Sequence, residues 1–108
     1  MKQNPLSEPT FYILLALSNE PLHGYGIIKK VEEMSEGRMV LAAGTLYGVI
    51  ENLKKNKWIS PVEGEKGSKR KVYQITQEGY LALMEDYHRM KALFYVARNV
   101  LEKGADEK

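Results

Sequence analysis

The sequence predicts a mainly α fold with a two-stranded β-hairpin: a winged helix-turn-helix followed by a long C-terminal dimerisation helix. Three observations predict it. Leu46, Val49, Ile50 and Leu53 stand at i, i+3, i+4 and i+7, one apolar stripe of a helix, while Thr45, Tyr47, Glu51, Asn52 and Lys54 make its other face polar. A short way on, Glu65-Lys66-Gly67-Ser68-Lys69-Arg70-Lys71 is a basic turn between two strand-like runs. Finally, Tyr80, Leu83, Tyr87, Met90, Phe94, Ala97 and Leu101 repeat at alternating steps of three and four, an a/d seam across three heptads.

Composition bounds the rest. A chain of 108 residues has room for one domain with a modest core, and 44% apolar content is too high for disorder. No run approaches the roughly 20 apolar residues that cross a bilayer, and Met1 to Pro5 precede no apolar signal segment. Without cysteine there is no disulfide framework and no thiolate metal site. A cytoplasmic protein is expected. Net charge is only +2, but it is unevenly spread. Lys54 to Gln74 holds seven basic residues and two acidic ones, hence +5, which leaves −3 for the remainder. Such a local patch suits phosphate contact; it equally suits a solvated hairpin whose lysines guard an edge.

In chain order, Ser7-Glu8-Pro9 combines a cap residue, an acid in the first turn and a proline where no N–H is missed. The nearly all-apolar run Thr10 to Leu17 is therefore expected as the most buried helix, ending before Ser18-Asn19-Glu20-Pro21. A second helix is expected from about Gly24 to Met34, with Tyr25, Ile28, Val31 and Glu32 on one side, Ile27 and Met34 adjoining, Lys29, Lys30 and Glu33 outward, and Gly37 as its C′ residue. Met39-Val40-Leu41 connects to the third helix, for which Gly44 and Thr45 are the expected cap. Trp58 to Glu63 reads as an edge strand because of Pro61, and Lys71 to Ile75 as its partner. Thr76 caps the last helix, which carries a second apolar flank of Leu81, Met84, Leu93, Val96 and Val100, and Gly104 to Lys108 is a polar tail. Residues 1–75 thus form the winged helix-turn-helix, and 76–108 the dimerisation helix and tail. A helix so long and apolar has no partner left in a short chain, so it is expected to pair with its copy.

Enzymatic chemistry is not expected. His23 and His88 lie on different elements, and no His, Cys and carboxylate cluster has metal-ligand spacing. Gly24 and Gly26 follow no strand and precede no GK[ST], so they make no phosphate loop; His23 beside them is expected to cap or support the helix. Neither a cofactor nor a metal is implied. Three functions remain: a DNA-binding regulator, a dimeric adaptor without DNA, and a small-molecule-binding protein with an aromatic pore. The basic hairpin and Tyr47 favour the first, since an adaptor has no need of phosphate contacts.

Three stretches together resemble the PadR family of bacterial transcriptional regulators: Leu22-His23-Gly24-Tyr25-Gly26-Ile27, Gly44-Thr45-Leu46-Tyr47, and Val72-Tyr73-Gln74-Ile75-Thr76-Gln77-Glu78-Gly79. The resemblance spans about residues 10 to 101. It implies a winged helix-turn-helix that dimerises through its last helix and represses a nearby operon. A single C-terminal helix resembles the short-chain subfamily, which includes repressors of multidrug transporters. Gly48 stands where the family usually has proline, and Trp58-Ile59 where it often has Gly-Leu.

The expected sites follow. Helix three enters the major groove of double-stranded DNA, with Thr45, Tyr47, Asn52, Lys54 and Lys55 reading bases or holding phosphates. Lys66, Lys69, Arg70 and Lys71 hold phosphates from the wing. Two recognition helices of a homodimer meet a palindromic operator, half-sites about 10 bp or a multiple of it apart. Tyr80, Leu83, Tyr87, Met90, Phe94, Ala97 and Leu101 form the dimer seam. Phe11, Tyr12, Tyr87, Met90 and Phe94 are expected to flank a planar hydrophobic effector. The only tryptophan is Trp58, whereas the drug-binding members resembled stack their ligand on a tryptophan of the last helix.

Overall fold

The computed structural model describes residues 5–62 and 71–106, with side chains through Glu102. In order the elements are α1 (Glu8–Leu17), β1 (Leu22–His23), α2 (Gly24–Met34), α3 (Ala43–Lys55), β2 (Ile59–Val62), β3 (Val72–Ile75) and α4 (Gln77–Asp106).

Local chemistry sets the helix ends. Ser7 Oγ accepts the Thr10 N–H at 3.3 Å and caps α1, with Pro9 in the first turn. No residue of α1 from Pro9 to Leu17 is exposed, and Ile13, Leu14, Ala16 and Leu17 are fully buried. Apolar side chains all round the helix leave it no polar face to present. His23 caps α2: its Nδ1 accepts the Gly26 N–H at 3.1 Å, which puts the proton of the neutral ring on Nε2. The expected cap of α3 is not observed. Ala42 occupies that position without a side-chain bond, so α3 starts ahead of both Gly44 and Thr45.

Both α2 and α3 end in the same tight C-terminal turn. After α2, Gly37 N–H reaches Glu32 O at 2.9 Å and Glu36 N–H reaches Glu33 O at 3.1 Å. Glu36 (φ 53°), not Gly37, is therefore the C′ residue, and Gly37 (φ 81°) follows it. The buried Ser35 hydroxyl accepts the Met39 N–H at 2.9 Å and ties the turn to the connector that leads to α3. After α3, Trp58 N–H bonds Leu53 O at 2.9 Å, with Lys57 at φ 61°. Closing that turn removes Trp58 from the strand expected to begin there.

The sheet has three antiparallel strands in the order β1-β3-β2, where two were expected. Leu22 pairs with Tyr73 and His23 with Val72; Pro61 lies on the edge strand β2, opposite Tyr73. At two residues, β1 is too short to show alternation. Only its pairing with β3 makes it a strand.

The core joins Ile13, Leu14 and Leu17 of α1, Ile27 and Val31 of α2, Leu46, Ile50 and Leu53 of α3, Ile59 and Tyr73 of the sheet, and Leu83 of α4. The expected stripe of α3 is thus inward, with Val49 at its margin. In α2 the inward residues are Gly24, Ile27 and Val31; Tyr25, expected inside, is outside. The first turns of α4 bury Gly79, Ala82, Leu83 and Asp86, whereas every side chain from Met90 to Glu102 is exposed. The helix continues past Gly104 to Asp106, where a polar tail was expected.

Candidate nucleic-acid interface

Burying Leu46, Ile50 and Leu53 turns the opposite side of α3 to solvent. Thr45, Tyr47, Gly48, Glu51, Asn52 and Lys55 are all exposed there. Tyr47 is 51% exposed but not free. Its hydroxyl lies over Gly24, where a Cβ would stand 2.6 Å from Oη. Gly24 therefore lets the third helix touch the start of the second, and the ring of Tyr47 lies along that joint. Lys54 is half-buried rather than outward. Its Nζ is 3.6 Å from Glu51 Oε1, so its charge is shared within the helix and is less available than expected. Burial pushes the Tyr73 phenol above its usual range, the Lys54 charge opposes this, and Tyr47 and Glu51 add to it. Tyr73 of β3 thus lies within the electrostatic reach of Tyr47, Glu51 and Lys54 of α3.

Lys71 is exposed immediately before β3. Because His23 pairs with Val72, the next position in register brings Lys71 beside the start of α2. The base of the wing and the helix-turn-helix therefore meet at one place. Lys66, Lys69 and Arg70 lie outside the described residues.

The seam residues divide. Tyr80, Tyr87, Met90, Phe94, Ala97 and Leu101 are exposed, and so are Leu81, Leu93, Val96 and Val100 of the second flank. Leu83 is 3% exposed and belongs to the core of its own domain, which corrects its assignment to the seam. The periodicity is continuous, but at Leu83 it serves the fold.

Of the expected effector residues, the structure brings together Phe11, Tyr12 and Met90. They line an open cavity of about 650 Å³ between α1 and α4, with Leu6, Glu8, Leu15, Asp86 and Arg89. Tyr87 and Phe94 do not line it. Sequence reasoning missed Asp86, a 5% exposed carboxylate that accepts from Arg89 Nε at 2.8 Å and from Leu6 N–H at 3.4 Å. The hydrogen bond to Asp86 raises the Arg89 pKa; desolvation opposes this and the Asp86 charge adds to it. The i, i+3 spacing of acid and base was the available signal.

A third helix with one face in the core and the other in solvent, a three-stranded antiparallel sheet beside it and a long final helix make up the described residues. Residues 13–85 match the transcriptional regulator PadR-like family. The chain belongs to that family. Its members are regulators of transcription, not enzymes. Over 81 residues this PadR-like chain is 37% identical to an uncharacterized 37.1 kDa protein in a transposon of Streptomyces fradiae, and 27% identical to transcriptional regulator YqjI of Escherichia coli. Those matches cover 75% of this chain but only 22% and 38% of the two relatives, so it spans well under half of either. It is also similar to the crystal structure of a PadR family transcription regulator from hypervirulent Clostridium difficile, with a TM-score of 0.75 at 26% identity over 88% of this chain and 99% of that one. Among the described residues no helix is long and apolar enough to cross a membrane, and no acidic, histidine or cysteine cluster offers a metal site.

Proposed function

We propose that this PadR-like protein is a homodimeric, sequence-specific DNA-binding repressor acting on a nearby operon in the cytoplasm. The exposed polar face of α3 carries this reading, because a core-packed helix with Thr45, Tyr47, Asn52 and Lys55 outward is shaped for a major groove. Thr45, Tyr47 and Asn52 are the base-reading residues; Lys55 and Lys71 hold phosphates, together with the wing residues Lys66, Lys69 and Arg70. Residues 1–75 serve as the DNA-binding unit and 76–108 as the pairing unit.

Dimerisation is supported by the uncovered stripe of Tyr87, Met90, Phe94, Ala97 and Leu101, a patch that water does not favour. Pairing along it sets two recognition helices on half-sites of a palindrome about 10 bp or a multiple of it apart. A planar hydrophobic effector bound beside Phe11, Tyr12 and Met90 acts on the angle between the two recognition helices and so on their fit to the half-sites.

A gel shift with the DNA upstream of its own gene tests the first part, and footprinting of a single unsymmetrical half-site sinks the paired arrangement. Met90→Lys with Phe94→Lys is expected to give monomers in sedimentation; an unchanged dimer rules out the seam. For the effector, planar aromatic compounds are titrated with tyrosine fluorescence and DNA affinity read in parallel. A compound that binds without changing DNA affinity is no effector.

A further inference from the structure

Resting on the DNA-binding reading above, we propose that Tyr25, held by His23, is a further DNA-contact residue that grips a phosphate of the duplex backbone between the recognition helix and the wing. Four observations carry this.

Tyr25 is 71% exposed, although helical periodicity would put it inside with Ile28 and Val31. The core side of α2 is filled by Gly24, Ile27 and Val31, and the ring is left in water. The ring is nevertheless positioned. It stacks on the imidazole of His23, with centroids 6.4 Å apart and planes within 15°. His23 is itself fixed twice: Nδ1 accepts the Gly26 N–H, and its backbone pairs with Val72. Lastly, the place is the joint of the interface. Gly24, the residue before Tyr25, touches the Tyr47 hydroxyl, and the pairing of His23 brings Lys71 of the wing base alongside.

The chemistry selects a phosphate over a base. A phenol O–H donates well to an anionic oxygen, and the His23 proton sits on Nε2. Lys71 and Lys29, both exposed, supply positive charge nearby, Lys29 one turn along α2 from Tyr25. The acids of α2, Glu32 and Glu33, line one open groove with Tyr25, Ile28 and Lys29; they lie towards its far end, two turns along the helix, so the side of Tyr25 that faces α3 and Lys71 is the one left for an anion. In a helix-turn-helix the first helix crosses the backbone while the second enters the groove. Tyr25 stands at the end of α2 nearest the recognition helix and wing, where that crossing would place a phosphate.

The test compares Tyr25→Phe, Tyr25→Ala and Lys71→Ala by fluorescence anisotropy, on the upstream duplex and on an unrelated duplex, across a salt series. Tyr25→Phe keeps the ring and its stack and removes one hydrogen-bond donor to a charged acceptor. It is expected to weaken both duplexes by the same factor, about 10- to 100-fold. Its melting temperature and salt slope should be those of the parent, since no charge is lost. Lys71→Ala should flatten the slope by about one unit. Tyr25→Ala should lose more than Tyr25→Phe. The proposal is overturned if Tyr25→Phe binds both duplexes like the parent, whatever Lys71→Ala does. It is overturned as a phosphate contact if only the upstream duplex is affected. If the parent binds neither duplex at low salt, the DNA-binding reading itself falls, a result distinct from both.

Discussion

Among the described glycines, Gly79 is the one where the fold excludes a side chain most firmly. It lies in the first turn of α4, where its N–H donates to Thr76 Oγ1 at 3.1 Å. Thr76 ties that turn to the end of α3: its N–H reaches Trp58 O at 2.9 Å and its hydroxyl donates to Lys57 O at 2.7 Å. A Cβ on Gly79 would stand 2.9 Å from the Trp58 carbonyl carbon and 3.0 Å from its Cα, and closer still to its oxygen. All are backbone atoms, so no rotamer relieves the clash. In Gly79→Ala the helix start must shift, breaking both Thr76 bonds at about 1 kcal/mol each. Overpacking against Trp58 adds roughly 1–3 kcal/mol, and the better helix propensity of alanine returns about 1 kcal/mol. The expected net loss is about 3 kcal/mol, a fall in melting temperature of roughly 10–20 °C. The control is the same change in α3. Nothing lies within 4 Å of a Cβ on Gly48, so Gly48→Ala should gain up to about 1 kcal/mol of propensity and raise the melting temperature. Both are read by circular dichroism melts at one protein concentration, because self-association couples to stability. The reasoning fails if Gly79→Ala melts at or above the parent, or if the two substitutions behave alike.

Three further outcomes are expected. In Gly24→Ala the clash falls on the Tyr47 hydroxyl, the tip of a side chain that can swing away. Stability should therefore change by less than about 1 kcal/mol, while DNA affinity in an anisotropy titration falls as Tyr47 leaves its place. In Asp86→Ala the Leu6 N–H and Arg89 lose their acceptor, so a urea melt should show a loss of about 1–3 kcal/mol; an unchanged midpoint would mean that the carboxylate anchors nothing. Tyr73 holds its proton more tightly when folded than the usual 10.0. The unfolded phenol therefore ionises first, so its contribution to stability is whole below about pH 10 and is lost as the pH climbs through the raised folded value. Tyr73→Phe should reduce that alkaline decline in a pH series of denaturant melts.

What the sequence by itself determined is what depends on near neighbours. The stripe of Leu46, Ile50 and Leu53 is inward because helical geometry puts i, i+4 and i+7 on one side, whatever lies beyond. Ser7, His23 and Thr76 cap their helices through bonds to residues three positions on, which are visible in the chain itself. The family pattern was likewise legible, because its landmarks lie at the joints of these local units.

What the tertiary structure alone decided involves residues far apart in the chain. Leu22 and His23 are a strand only because Tyr73 and Val72 come alongside. Leu83 looks like any other seam residue until α4 packs on α1 and draws it into the core. Tyr25 looks inward by periodicity, yet Gly24, Ile27 and Val31 already fill that side. Asp86 is an ordinary surface acid until Leu6, 80 residues away, donates its N–H. The need for glycine at 24 and 79 appears only when Tyr47 and Trp58 arrive from other elements. Helix period and capping are short-range and can be read along the chain. Which of several apolar faces is covered, and by what, depends on the packing of all the elements together.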